Sequence, residues 1–464
     1  MDDTTPQNQG NVPEEQTGNA TVSRRTFSAL AGAGMALLLP RVAHGGEAAE
    51  AQAPASRSPG NARPGAAASP AMINTFRPPR AAKELDNAVV YRKEDEFASH
   101  PYVAGFWETA AGHLVANFST RKVDYVGDPN DLSHNNLGRN PGGRQVNVRS
   151  EDRGRTWKEA NPTFNDGRGR PAAADDEVDS LAEIGPIDFR NKDVLVANSS
   201  SAFGAPTSRS VVRISKDGGH TWSRSFRLPL DGLHSLSAIN SSLVRPDGRC
   251  LLFMFEVSPD GWNRHNLVYR STDDHSSFHF LSFITVKDDP FAAGTGDWKG
   301  PFAFGGHRWF YPRGYMLPNG RILCVLRSQR DPTGVMWTEL YKSDDGGQTW
   351  QFRSRVNDYG APGSLVRMND GRLVMVYGYR LPPFGIRAAV SDDEGVTWGS
   401  EIILRDDGGS WDLGYPNAWE AGPGKVGVLY YFNSKNDPIQ VKPGGSLAGA
   451  GGVRHIARSI FTVD

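Results

Sequence analysis

Short apolar runs separated by turn-forming residues fill the chain after residue 90, and no long run there has the i, i+3, i+4 spacing of a helix. Three of the runs directly follow a tight-turn sequence that contains Asn-Gly or Asp-Gly. Such turns between apolar runs are strong signals of β-hairpins. The three turn-and-strand units are PDGR-CLLFMFEV (246–257), PNGR-ILCVLR (318–327) and NDGR-LVMVYGYR (369–380). The pattern predicts an all-β protein built from antiparallel hairpins.

An eight-residue motif recurs along the chain and marks an internal repeat. Good copies begin at Ser150, Ser215, Ser343 and Ser391, and a degenerate copy begins at Ser271. The copies read SEDRGRTW, SKDGGHTW, SDDGGQTW, SDDEGVTW and STDDHSSF. A typical copy follows three apolar strands and precedes a short fourth strand. One repeat of roughly fifty to seventy residues therefore predicts one four-stranded antiparallel blade of a β-propeller.

The residue types of the motif predict a structural role for it. Its Asp can accept hydrogen bonds from nearby backbone N–H groups, its Gly permits positive φ, and its Trp can pack between neighbouring sheets. A calcium loop is the alternative, but the copies that begin at Ser150, Ser215 and Ser343 lack the glutamate that an EF-hand loop places six residues after its glycine, and only the copy at Ser391 has one there, Glu401. The motif is therefore predicted to hold the frame together.

The motif S-x-D-x-G-x-T-W resembles the Asp-box of the sialidase (neuraminidase) superfamily, and the resemblance covers roughly residues 87–464. It implies a six-bladed β-propeller of four-stranded antiparallel blades. The strand NAVVYRKE, residues 87–94, is expected to pair with the last blade and close the ring. The first strands of the six blades are expected to begin near Pro101, Asp188, Ser235, Arg313, Ser364 and Pro416.

The first 86 residues differ in composition from the rest. Arg24, Arg25 and Phe27 precede a Gly- and Ala-rich apolar run that is too short to span a bilayer, which resembles a twin-arginine export signal over residues 1–45. Residues 46–86 are predicted to be a disordered linker because they offer little to bury. We therefore expect a periplasmic or secreted protein with no stable membrane insertion after signal cleavage. The two cysteines, Cys250 and Cys324, lie in apolar runs and are predicted to be buried free thiols.

Charge and composition narrow the possible partners. The 464 residues carry a formal net charge of −1, which gives no broad attraction to nucleic acid or acidic membranes. No motif indicates a metal or another cofactor. A monomer that binds a carbohydrate is expected.

Arginines recur at one predicted rim of the propeller, where first strands start, second strands end and third strands start. A forked guanidinium can bind a planar carboxylate at two points, so this rim favours an anionic sugar over a neutral one. Solvated rim charges are the alternative. The arginines are Arg121, Arg144, Arg209, Arg313, Arg327, Arg380, Arg387 and Arg454.

The resemblance implies roles for particular residues. Tyr415 matches the place of the nucleophilic tyrosine on blade six, and Asp124 that of the acid in the blade-one loop, with Asp128 and Asp131 as rivals. Arg313 and Arg387 are the best matches for arginines that hold a substrate carboxylate. The full predicted substrate-binding set is Arg121, Arg144, His234, Arg313, Arg380 and Arg387.

The chain departs from the superfamily pattern at two places. His100 stands where an arginine is expected, and blade four reads YPRGYM where a glutamate is expected. His100, His134 and His234 lie near the predicted rim and are candidates for acid–base or binding roles, with His100 and His134 taken as catalytic.

Three functions remain open from the sequence. The first is a sialidase-like, exo-acting glycoside hydrolase on an acidic sugar, either a sialic or a uronic acid. The second is a uronate lyase that uses His or Tyr as its base. The third is a carbohydrate-binding propeller without catalysis.

Overall fold

The structure is a computed structural model that describes residues 77–125, 143–160, 177–259, 261, 264–285, 307–330, 335–437 and 452–463. These residues form a six-bladed β-propeller, as predicted, with one sheet to each blade. None of the helices in these ranges is long and apolar enough to cross a membrane.

Blades one to three contain the first half of the propeller. The strands of blade one are Glu96–Ser99, Phe106–Glu108, Leu114–Lys122, Arg144–Ser150 and Lys158–Ala160, and a one-turn helix, Pro101–Ala104, separates the first two. The strands of blade two are Glu177–Val178, Leu195–Ser201, Arg209–Ser215 and Ser225–Arg227, with a 3₁₀ helix at Leu181–Ile184. The strands of blade three are Ser237–Val244, Cys250–Val257, Arg264–Ser271 and Phe278–Phe283.

Blades four to six complete the ring. The strands of blade four are His307–Met316, Ile322–Arg330, Val335–Ser343 and Gln351–Arg355. The strands of blade five are Gly360–Arg367, Leu373–Tyr379, Gly385–Ser391 and Ile402–Arg405, joined by Arg80–Ala81. The strands of blade six are Gly414–Gly422, Lys425–Phe432 and His455–Thr462, joined by Lys83–Tyr91.

The hydrophobic core lies between neighbouring blades. Second strands such as Cys250–Val257 are buried along their whole length because both of their faces meet adjacent sheets. This explains why they read as continuous apolar runs. Cys250 and Cys324 are free and buried, as predicted.

The N-terminal strand closes the ring. Lys83–Tyr91 pairs antiparallel with His455–Thr462 of blade six, which confirms the predicted closure. Arg80–Ala81 adds a parallel edge to blade five beside Ile402 and Ile403. The sheets therefore include residues 80–81 and 83–86 of the segment that was expected to be linker.

The prediction of a first strand near Asp188 in blade two is wrong, because that segment forms turns. Ser180 and Glu183 cap the 3₁₀ helix that precedes it, and Pro186 has no backbone N–H to give to a ladder. The sheet reaches four strands because Glu177–Val178 pairs parallel with the outermost strand.

The repeated motif stabilises the turn between third and fourth strands, as predicted. The Asp345 carboxylate accepts hydrogen bonds from the Thr349 backbone N–H at 2.9 Å and from its hydroxyl at 2.6 Å. The Trp350 ring lies edge-on to Phe253 of blade three, with ring centroids 6.1 Å apart, and its indole N–H approaches Ser282 Oγ at 3.2 Å. Each motif therefore ties its own turn together and joins its blade to the preceding one.

The motif aspartates predict a loss of stability in acid. Burial acts to raise the pKa of Asp345, but hydrogen bonds from Thr349 and Ser343 outweigh it and hold the pKa at about 2; the same balance gives about 2 for Asp152 and Asp393. These pKa values lie below the value of about 3.9 for an aspartate in the unfolded chain. The stabilisation that the three carboxylates give to the folded state is therefore complete above roughly pH 4 and is lost as the pH falls towards 2. Thermal unfolding midpoints between pH 5 and 2 measure this.

A single substitution separates this effect from general acid unfolding. Asp345→Asn should show a shallower fall in the midpoint between pH 4 and 2 than the parent protein. Asp358→Asn removes an exposed carboxylate paired with Arg355 and should leave the slope of the parent. Equal slopes for the two variants would contradict the role given to Asp345.

Candidate functional site

Three aromatic side chains from different blades meet where the first strands begin. His100 precedes the one-turn helix of blade one, Tyr311 lies in the first strand of blade four, and Tyr415 lies in the first strand of blade six. The His100 and Tyr415 rings are edge-on, with centroids 4.9 Å apart, and the hydroxyls of Tyr311 and Tyr415 are 3.2 Å apart. We call these three residues the aromatic cluster.

Irregular backbone aims these side chains at one another. Tyr311 falls in a register shift between Phe310 and Arg313, and Tyr415 in another between Gly414 and Asn417. The φ angles of His100, Tyr311 and Tyr415 are 59°, 61° and 50°, in the left-handed region that bulky residues rarely adopt. Bulges and such φ values re-aim side chains and concentrate at functional sites.

A close approach of two glycines lets Tyr415 sit against blade five. A Cβ on Gly414 would lie 2.8 Å from Gly378 Cα, and the φ of Gly414 is +96°. Any other residue at either position would push blades five and six apart. The pair explains why a glycine directly precedes Tyr415.

Two arginines reach the Tyr415 side chain. Arg327 Nη1 is 3.3 Å from the Tyr415 hydroxyl oxygen, and the Arg380 guanidinium carbon is 5.5 Å from the Tyr415 ring centroid. Both can stabilise negative charge at this place. The sequence placed Arg327 at the predicted rim but indicated no role for it. Its position near the end of an apolar second strand, like that of Arg380, is the feature that could have identified it.

A buried tyrosine–carboxylate pair lies behind the cluster, and the sequence did not reveal it. The Tyr431 hydroxyl donates to Asp412 Oδ1 at 2.5 Å, and both residues are buried. Burial and then the charge of Asp412 raise the pKa of Tyr431 well above its ordinary value, against the opposing charge of Arg380. Tyr431 is therefore a neutral hydrogen-bond donor that holds Asp412 in place.

The Tyr311 hydroxyl is also neutral. Burial and then the neighbouring Tyr415 raise its pKa above the ordinary value, and Arg327 opposes them. Tyr311 occupies the blade-four segment where the superfamily resemblance leads one to expect a glutamate. At this place the chain offers a proton donor instead of a carboxylate.

The arginines of the propeller fall into two groups. Within the described chain, Arg313, Arg327 and Arg380 make no ion pair with a carboxylate, and their hydrogen bonds go to neutral oxygens. Arg144 instead pairs with Glu96 and Glu159, and Arg387 with Glu401. The first group retains charge that an anionic ligand could neutralise.

Three other predicted site residues lie in or beside blades one and three. Asp124 is exposed just beyond the second strand of blade one, which Arg121 helps to form. His234 is exposed, and its backbone N–H donates to Glu256 at 2.8 Å. His134 lies outside the described residues. The roles of all four stay predictions.

In the described ranges, no three His, Cys, Asp or Glu side chains lie close enough together to hold a metal ion. The described part of the site offers phenol, imidazole and guanidinium groups, with the Asp412 carboxylate behind them.

A family model described as a BNR repeat-like domain matches residues 194–428, which is more than half of the chain. The protein therefore belongs to the BNR repeat-like family, and the repeats that define it are those whose turns the motif stabilises. No curated protein matches the chain.

Solved structures share the fold at low sequence identity. A protein of unknown function from Dyadobacter fermentans is 22% identical with a TM-score of 0.58, and the match covers 82% of this chain and 99% of that one. The alpha-L-arabinanase of Penicillium chrysogenum, solved with arabinobiose, is 13% identical with a TM-score of 0.51, over 81% of this chain and 97% of that one. The sialidase of Trypanosoma rangeli is 11% identical with a TM-score of 0.48, over 82% and 59%. The first two of these structures show the propeller fold alone.

Proposed function

We propose that this protein is an exo-acting glycoside hydrolase whose substrate carries an acidic sugar, a sialic or a uronic acid. The observation that carries the proposal is the meeting of Arg327 and Arg380, which have no carboxylate partner in the described chain, at the Tyr415 side chain. The single carboxylate of an acidic sugar would lie near both guanidinium groups and supply negative charge that the described chain does not. Membership of a glycosidase-like propeller fold supports the same class.

The arginines would bind the sugar carboxylate and so fix the ring over Tyr415. The Tyr415 oxygen would then form a bond to the anomeric carbon as the bond to the departing alcohol breaks. His100 would take the proton of the Tyr415 hydroxyl, and Asp124, the predicted acid, would give a proton to the departing alcohol. Arg327 is placed to stabilise the charge on the tyrosine oxygen as its proton leaves. Water would complete hydrolysis of the resulting glycosyl–enzyme bond.

A uronate lyase is the second candidate, and one observation favours it. The Tyr415 hydroxyl has Tyr311 and Arg327 as its hydrogen-bond neighbours in the described chain, with no carboxylate beside it, and the His100 ring packs against it. In a lyase, His100 or Tyr415 would remove the proton beside an arginine-neutralised carboxylate, and the glycosidic oxygen would leave from the next carbon.

The two candidates differ in their products. A lyase creates a carbon–carbon double bond beside the carboxylate, which absorbs in the near ultraviolet, whereas a hydrolase releases a saturated acidic sugar. Incubation with a panel of sialylated and uronate-containing glycans, followed by absorbance and analysis of released sugars, distinguishes them. If the protein binds acidic glycans but releases neither product from any of them, it is a carbohydrate-binding propeller without catalysis.

Arg327→Lys tests the carboxylate contact. Lysine keeps the charge but loses the fork, so KM should rise by about 10- to 100-fold, the equivalent of one lost charged hydrogen bond. The effect on kcat should be smaller because the carboxylate is present in both ground and transition states. Steady-state kinetics on the substrate found in the panel measure both constants.

Arg372→Lys is the matched control for that variant. Arg372 lies in a hairpin turn beside Asp370, away from the aromatic cluster, so the same substitution there should leave KM unchanged. Arg387→Lys, measured alongside, tests the predicted binding role of Arg387. An unchanged KM in Arg327→Lys would remove Arg327 from the proposed site.

A further inference from the structure

A polar cavity lies on the propeller axis, further along the first strands than the aromatic cluster. Its volume is about 260 Å³, and the first strands of blades one, three, four, five and six supply its lining. The lining residues of blades four and six follow Tyr311 and Tyr415 in their first strands. The cavity therefore lies towards the face of the propeller that carries the hairpin turns between first and second strands. Its polar lining residues are Asn240, Ser241, Ser242, Arg313, Ser364 and Asn417.

Arg313 brings the one formal charge into this lining. Its side chain is buried, with 9% of the residue exposed, and its guanidinium carbon lies 3.6 Å from the centroid of the Tyr102 ring. Nη1 donates to Asn417 Oδ1 at 2.6 Å and Nη2 donates to the Tyr102 carbonyl at 2.5 Å. Both acceptors are neutral, and no described carboxylate pairs with Arg313. A guanidinium has five N–H groups, so donors remain.

A second polar group in the lining has an N–H without a hydrogen-bond acceptor. Asn417 is fully buried, and its Nδ2 makes no hydrogen bond to any described residue. A buried cation without a counter-charge and a buried N–H without an acceptor each destabilise a folded protein. One bound anion would satisfy both, with the serine hydroxyls as further donors.

Tyr102 separates this cavity from the aromatic cluster. Its ring covers Arg313, and its hydroxyl donates to the Tyr311 carbonyl at 3.1 Å, so the fully buried side chain stands between the two places. A sugar carboxylate held by Arg327 and Arg380 therefore does not need Arg313. The cavity is a separate site that can be filled while the rim is empty.

We propose that the axial cavity binds a monovalent inorganic anion of the halide type, held by Arg313 and Asn417. The charge balance selects a single negative charge because the lining contains one arginine and no acidic residue. The cavity exceeds the roughly 30 Å³ share of one water several-fold, so the anion can keep part of its hydration. The bound anion joins the first strands of blades four and six and stabilises the closed ring.

Thermal unfolding in different sodium salts tests the proposal on the whole protein. After exchange into isethionate buffer, whose bulky monovalent anion is not a sugar acid, addition of chloride or bromide at equal ionic strength should raise the unfolding midpoint by about 2 °C or more. Asn417→Asp supplies a permanent counter-charge, so this variant should have a higher midpoint in isethionate and no response to halide. Asn436→Asp, the same change at an exposed position, should respond to halide as the parent does.

Crystals of the unaltered protein soaked in bromide give a second test that does not depend on a variant folding. An anomalous peak within hydrogen-bonding distance of the Arg313 guanidinium is expected. A midpoint that is the same in all salts together with no peak at Arg313 would overturn the proposal. Because sulfate and phosphate stabilise folded proteins in general, a larger rise with them than with halide in the parent but not in Asn417→Asp would contradict the charge balance. Neither readout requires enzymatic activity, so both are independent of the proposed hydrolase.

Discussion

Tyr415→Phe is expected to lower kcat by about 100- to 10,000-fold, the range for loss of a group that transfers a proton or attacks the substrate. The change removes the oxygen that lies 3.2 Å from the Tyr311 hydroxyl and 3.3 Å from Arg327 Nη1 but leaves the ring in its packing against His100. KM should change little, because the arginines that would hold the carboxylate remain. Steady-state kinetics with the substrate identified from the glycan panel measure both effects.

Tyr269→Phe is the matched control, since it removes a tyrosine hydroxyl from blade three that donates to the Pro229 carbonyl at 2.9 Å. It should leave kcat unchanged. His100→Ala then separates the hydrolase from a lyase that uses His100 as its base: in the hydrolase it should be milder than Tyr415→Phe, and in that lyase it should be the more damaging of the two. Full activity in Tyr415→Phe would end the assignment of Tyr415 as a reacting group and would leave the propeller assignment untouched.

Trp350→Ala is expected to lower the free energy of unfolding by about 3 kcal/mol, the lower end of the range for truncation of a large aromatic side chain, because the indole is only partly buried. The substitution removes the contact with Phe253 and the hydrogen bonds to Ser282 and Gly347, so blades three and four lose part of their shared core. Denaturant-induced unfolding followed by circular dichroism measures the change. Substrate preference should stay the same because the motif faces away from the aromatic cluster.

Phe352→Ala provides the comparison for that variant. Phe352 is 56% exposed in the adjacent outer strand, so its removal should cost much less stability. Equal losses in the two variants, or an unchanged stability in Trp350→Ala, would contradict the packing role of the motif tryptophan.

Much of the frame could be predicted because its signals are local. Each hairpin turn, apolar run and motif lies within about a dozen neighbouring residues, and each keeps its conformation wherever the blade stands in the ring. The ring-closing strand was predictable for a related reason: the strand NAVVYRKE precedes blade one and needs a partner, and the sequence showed only three strands in the last blade. The exception is blade two, where a capped 3₁₀ helix and Pro186 replace the expected first strand.

The candidate site was predictable only in part. The sequence pointed to His100, Arg380 and Tyr415 one at a time, and the structure brings these three together. The sequence could not show that Arg327 reaches the Tyr415 hydroxyl while the Arg387 guanidinium pairs with Glu401. All of them occupy comparable positions near the predicted rim, so their spacing along the chain does not distinguish them.

The sequence by itself determined the class of fold, the number of blades and the position of the stabilising turns of this protein. The tertiary structure alone decided which side chains face one another across the axis. The physical reason is that a β-bulge of one residue turns a side chain to the other face of its strand, and no local pattern announces the bulges at Tyr311 and Tyr415. The contacts between residues 100, 311 and 415 exist because the ring closes. The position of each blade in the closed ring depends on the geometry of all the other blades.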